Sequence, residues 1–93
     1  MDLHGFIRGA TLVEDPPGSD KIEMVLRLQG VGPGQPRTII VPFDLLLLDP
    51  TLEPESIDGH AFRAIVREER PGRWIITEIG FGDQRVLRTP EVS

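Results

Sequence analysis

The chain of 93 residues contains no cysteine, no tyrosine and no asparagine, and only one of its ten basic residues is a lysine. Without cysteine, neither a disulfide framework nor a thiolate metal site is available to hold the fold, so stability must come from one apolar core. Such a composition suits a reducing compartment, and with no basic-then-apolar pattern at the start the expected location is cytoplasmic. Aromatics are scarce, at one tryptophan and four phenylalanines, which makes Trp74 the single large anchor of its type. The longest apolar run, Leu45 to Leu48, is far too short to span a bilayer, and no membrane partner is expected. No internal repeat is present. The near-complete choice of arginine over lysine reads first as the bias of a GC-rich genome.

What is present is the composition of one small soluble domain, residues 1–93, with 39% apolar and 27% charged side chains. A chain of this size buries about 60–65% of its unfolded surface, enough for one modest core. The net charge of −5 opposes non-specific nucleic-acid binding, because neutralising phosphates with Lys and Arg supplies most of that affinity. The charge is unevenly spread. Residues 1–59 carry four basic and ten acidic side chains, and residues 60–93 carry six basic and five acidic.

Periodicity and turn residues divide the chain into short strands. Leu3 to Val13 alternates loosely and carries Gly5 and Gly9, which predicts a first strand with a bulge or bend at a glycine. The segment 14–20, EDPPGSD, is an acidic turn. From Lys21 to Gln29 the alternation is clean, placing Ile22, Met24, Leu26 and Leu28 inward and Glu23, Val25, Arg27 and Gln29 outward. A Gly- and Pro-rich turn over 30–36 leads to a third strand, Arg37 to Phe43. Between Asp44 and Asp58, Pro50 and Pro54 limit regular structure, and Asp44 is the predicted cap of one or two helical turns reaching Leu48. Val86-Leu87-Arg88 is a candidate edge strand, and from about residue 89 a flexible tail is expected.

The stretch from Gly59 to Phe81 organises the rest. Ala61 to Glu69 and Trp74 to Phe81 are rich in Ile, Val, Phe and Trp, and Pro71-Gly72 between them marks a hairpin turn. With an even loop, Glu69 faces Trp74. Phe62, Ala64 and Val66 then share the core face with Ile75, Thr77, Ile79 and Phe81, while Arg63, Ile65 and Arg67 share the outer face with Trp74, Ile76 and Glu78. Because Pro71 suits type I or II geometry, which splays two-residue hairpins, a four-residue loop is favoured over a two-residue one. An odd loop would slip the register by one and turn Trp74 and Ile76 inward.

The expected fold class is all-β: a small barrel of five or six short strands with a short helical turn between strands 3 and 4. Three strands with a glycine-bent first member, a partly helical connection from Asp44, then IDGHAFRAIVREE and GRWIITEI resemble the strand order of an OB-fold barrel over about residues 3–81. The resemblance is one of pattern, and no OB family supplies a motif matched residue by residue. Two prolines stand where the helix between strands 3 and 4 would be, which leaves an SH3-like barrel and an open meander as alternatives.

Motif-like segments carry little chemistry. Gly30-Val31-Gly32-Pro33-Gly34 lacks the following helix that a phosphate loop requires and reads as a hairpin turn. Ser56, Asp58 and His60 are close in sequence, yet a working triad is assembled in space with an oxyanion hole. His4 and His60 have no identifiable third ligand, so no metal and no cofactor are expected. The candidate site is the arginine-rich hairpin: Arg63, Ile65, Arg67, Trp74 and Ile76 on the outer face, with Arg70 and Arg73 flanking the turn. Trp and Arg are the types that anchor interfaces. The expected function is therefore non-catalytic binding of another protein. The alternative is a single-stranded DNA or RNA partner stacked on Trp74, which the resemblance to OB barrels implies and the acidic balance opposes. The bland reading of the same residues is a solvated face of weak cross-strand ion pairs, Glu78 lying diagonal to Arg63 and Arg67. The oligomeric state is not legible.

Overall fold

The computed structural model describes residues 1–14, 17–18, 20–48, 53–82 and 86–88. Strand β1 (Asp2–Glu14) is followed by β2 (Ile22–Gln29), β3 (Thr38–Val41), helical turns α1 (Phe43–Leu46) and α2 (Pro54–Ile57), β4 (Ala61–Arg70), β5 (Arg73–Phe81) and the short β6 (Val86–Arg88). The chain is thus all-β, and the helical content of the described residues is confined to the connection between β3 and β4.

The length of β1 sets the topology. Its first residues, Asp2 to Phe6, pair antiparallel with Ile65 to Ala61 of β4. From Phe6 to Glu14 it pairs antiparallel with Gln29 to Ile22 of β2. One strand can serve two neighbours in turn only if it coils, and the register shifts between Ile7 and Gly9, leaving Arg8 as the bulged residue. Gly9 stands at φ +155, which favours glycine at the bulge, and the Arg27 guanidinium lies over it where a Cβ would displace it. Strand order is β3-β2-β1-β4-β5-β6, and a parallel contact of Ile40 with Ile75 joins β3 to β5, so hydrogen bonding runs in a ring around five strands with β6 outside it.

Inside the ring lie Leu3, Ile7, Met24, Leu26, Ile39, Val41, Val66, Ile76 and Ile79, joined by Leu45 from α1 and Ile57 from α2. Both helical turns exist to place those two side chains. In α1 the Pro42 carbonyl accepts from the N–H groups of Leu45 (3.0 Å) and Leu46 (3.1 Å). The cap is therefore Pro42, and Asp44 falls in the first turn instead of capping, where its charge still suits the helix end. In α2 Pro54 occupies the first turn, which has no use for its missing N–H, and the Ser56 hydroxyl accepts from the Glu53 N–H at 3.2 Å and donates to the Glu53 carbonyl at 2.8 Å.

Two inward assignments on β2 and β5 are corrected. Ile22 opens β2 beyond the end of the core and is exposed, whereas Glu23, assigned outward, is buried by the hairpin that crosses over it. Thr77, assigned to the core, is a half-buried bulge residue. The helical reach to Leu48 shortens to Leu46. β6 forms as an edge strand, with Ile79 opposite Leu87. The tail expected from residue 89 lies outside the described residues. Among the described residues no helix is long and apolar enough to cross a membrane.

Candidate functional site

The hairpin β4–β5 carries two register shifts, and they decide which candidate residues meet. Arg70 pairs with Arg73 across a two-residue loop, with Gly72 at φ +82, the sign that the second central position of a type II turn demands. The shorter loop replaces the expected four-residue one because a bulge beside it, at Glu69, restores the twist that such a turn would splay. That bulge moves the pairing by one: Glu68 faces Trp74, Arg67 faces Ile75 and Val66 faces Ile76. A second bulge, on β5 at Thr77, cancels the slip, and from Ile65 opposite Glu78 to Phe62 opposite Phe81 the register is the one the sequence suggests. The Thr77 hydroxyl, freed from the ladder, donates to the Ile65 carbonyl at 3.1 Å.

The consequence is a split of the predicted site. Ile76 is fully buried beside Val66 and is not a surface residue, contrary to its outer-face assignment. Trp74 is half-buried, packs against the core cluster and sits on the inner parity of the strand, so it is separated from Arg63 and Arg67. The odd slip that the alternation alone left open is the one that forms near the turn.

Arg73 also leaves the rim. Its Nη2 donates to Glu23 Oε2 at 2.6 Å and its Nε donates to Glu69 Oε1 at 3.1 Å. Both side chains of the first pair are largely out of water, so Arg73 ties the hairpin tip to β2. The other carboxylate oxygen, Glu23 Oε1, is buried with no hydrogen-bond partner among the described residues.

What remains together on the outer face is Arg63, Ile65 and Arg67, in alternation along β4, with Arg70 exposed at the turn. Arg67 and Arg70 make no ion pair with any described residue. Arg63 forms a two-pronged contact with Asp2 of β1, Nη2 to Oδ2 at 2.8 Å and Nε to Oδ1 at 3.3 Å. This hydrogen bonding holds the Asp2 carboxyl below the usual aspartate range and raises Arg63 in turn. Asp2 is placed for it by the ladder to Ile65 and by the terminal amine, which donates to the Val66 carbonyl at 2.9 Å.

Across β4, β5 and β6 the same face is floored by a residue without a side chain. Arg63 lies opposite Gly80, and Gly80 opposite Val86. A hollow of about 290 Å³ results, lined by Asp2, Arg63, Ile65, Glu78, Gly80 and Val86. Ile65 and Val86 are 42% and 59% exposed, so apolar surface stands on both sides of the hollow. Two further depressions, one beside His4 and one over Ala61 and Gly82, meet this one at Arg63.

Sequence reasoning missed Asp2, Gly80 and Val86 as parts of this surface. Gly80 was legible only once its neighbours on both sides were known, and Val86 only once β6 was seen to pair. His4 lies opposite Arg63 and His60 bonds beside Ile7, so the two histidines stand rungs apart although β1 and β4 do pair. Among the described residues no three His, Asp or Glu side chains are grouped as metal ligands. Comparison with family models, with curated proteins and with solved structures finds no match to this chain.

Proposed function

We propose that the chain is a non-catalytic binding module that docks a protein partner on the outer face of β1, β4, β5 and β6. The observation that carries the reading is the hollow floored by Gly80, with Ile65 and Val86 exposed at its sides and Arg63 and Arg67 bracketing Ile65. A cavity of about 290 Å³ admits one large apolar side chain, and arginines on either side favour a segment with carboxylates flanking that anchor. In this reading the ring of strands, with β1 shared and β3 parallel to β5, is an OB-like barrel whose docking surface lies on the β1–β4–β5 side.

The alternative, a single strand of DNA or RNA on the same face, draws support from Arg67 and Arg70, which make no ion pair with any described residue. It loses its stacking platform with Trp74 turned toward the core, and the acidic balance of the whole chain opposes it.

Selection from a library of linear peptides on immobilised protein tests the reading. The expected winners carry one apolar residue between Asp or Glu, and their affinity falls at least tenfold in Ile65→Glu and in Arg67→Glu, weakening only modestly with salt because the apolar anchor leads the contact. A log-log salt slope of about −2 or steeper for an oligothymidylate, with no peptide selected, would instead favour the nucleic-acid reading.

A further inference from the structure

The middle of β1, at its bulge, carries a second arginine cluster that the docking surface does not use. Arg8 is the bulged residue of β1, and bulges re-aim a side chain out of the strand's alternation. Arg37 reaches the same place from the β2–β3 turn, its carbonyl accepting from the Leu28 N–H at 2.8 Å. Both line one hollow of about 320 Å³ with Leu28, Gln29, Gly30 and Val31. Arg27 does not line that hollow, and its guanidinium lies against Gly9.

Among the described residues these charges have no acidic partner. The chain has fifteen acidic side chains against ten basic ones, yet Arg8, Arg27 and Arg37 make no ion pair with any described residue. An adjoining hollow shares Arg8 and Gln29 and adds Phe6, Ile7, Asp58 and Gly59. Phe6 is 53% exposed, its ring close to the Gly30 backbone, so a flat apolar surface stands next to the arginine pair. The one carboxylate in that hollow, Asp58, lies on the Phe6 side, away from Arg37.

We propose that this corner binds a nucleotide phosphate group. Arg8 and Arg37 supply the planar, always-charged forks that grip phosphate oxygens, Phe6 supplies a face for the base with Asp58 as an acceptor beside it, and Gln29, common to both hollows, supplies a polar group between them. A free mononucleotide and the phosphorylated end of a single strand present the same chemistry to it. The site stands apart from the Arg63–Ile65 face, and its failure would leave the docking reading untouched.

The test is titration of ¹⁵N-labelled protein with adenosine monophosphate, with ribose 5-phosphate and with a 5′-phosphorylated trinucleotide. The expected result is saturable shifts at the amides of residues 6–9, 28–31 and 37, with affinity weakened about tenfold in Arg8→Ala and in Arg37→Ala, as for loss of one charge-assisted contact. Phe6→Ala should weaken the mononucleotide about tenfold and leave ribose 5-phosphate unchanged. Arg63→Ala should have no effect. Equal affinity for monophosphate and trinucleotide identifies a free nucleotide as the source, and tighter, more salt-sensitive trinucleotide binding identifies a strand end. Absence of saturable shifts up to about 10 mM ligand, or full affinity in both arginine variants, would overturn the proposal.

Discussion

Leu26 has no exposed surface and lies in the core with Met24, Leu28 and Ile39. Leu26→Ala should therefore cost about 2–5 kcal/mol, read as a lowered denaturant midpoint at unchanged slope. Its burial was plain from the alternation of β2, since a period of two on a half-buried strand leaves no other face for it. The burial of Glu23 was not, because the group that covers it, Arg73, arrives from fifty residues away. Asp2 and Arg63 make a prediction of the opposite kind, exposed and small in energy. The folded carboxyl of Asp2 is held below its ordinary value, so the pair contributes its full effect above the unfolded aspartate pKa and loses it as pH falls through the lowered one. An NMR titration of the Asp2 side chain should show a low midpoint that returns to the ordinary range in Arg63→Ala.

At the scale of elements the hairpin is the instructive case. Its two strands, its turn and half of its register were legible, because β-branched residues, aromatics and Pro71-Gly72 leave one arrangement. The other half was not, since a bulge leaves no mark in a pattern of alternation when a second bulge cancels it eight residues on. Trp74 and Ile76 were misplaced for that reason, and Arg63, Ile65 and Arg67, beyond the second bulge or on the strand it compensates, keep their outward face. The pair Arg73–Glu23 locks the slipped half in place. Arg73→Ala should cost about 3 kcal/mol, because it strands a buried carboxylate, and replacing both residues by leucine should recover most of that loss. A double-mutant cycle by chemical denaturation measures it; a cycle with no coupling would mean that the pair holds nothing together.

For the whole molecule, the ring of strands explains why so small a chain offers several surfaces. Five strands enclose one core, much of the outward surface becomes available, and the extra strand, β6, widens a single face into a floor four strands across. The strand count and the helical interruption could be read from the sequence. The closure of β3 on β5 could not, being a contact of one residue pair, nor could the glycine floor, which needs three strands side by side. Docking on the outer face requires that Ile65, and not Trp74, meet the partner. The direct test is to measure the denaturant midpoint and the affinity for a selected peptide on Ile65→Glu and on Trp74→Ala. The account predicts that Ile65→Glu keeps its midpoint within about 0.5 kcal/mol and loses binding at least tenfold, whereas Trp74→Ala loses about 3 kcal/mol of stability and, while folded, binds as the parent does. The reverse pattern, with Trp74→Ala stable but unable to bind and Ile65→Glu binding normally, would contradict it.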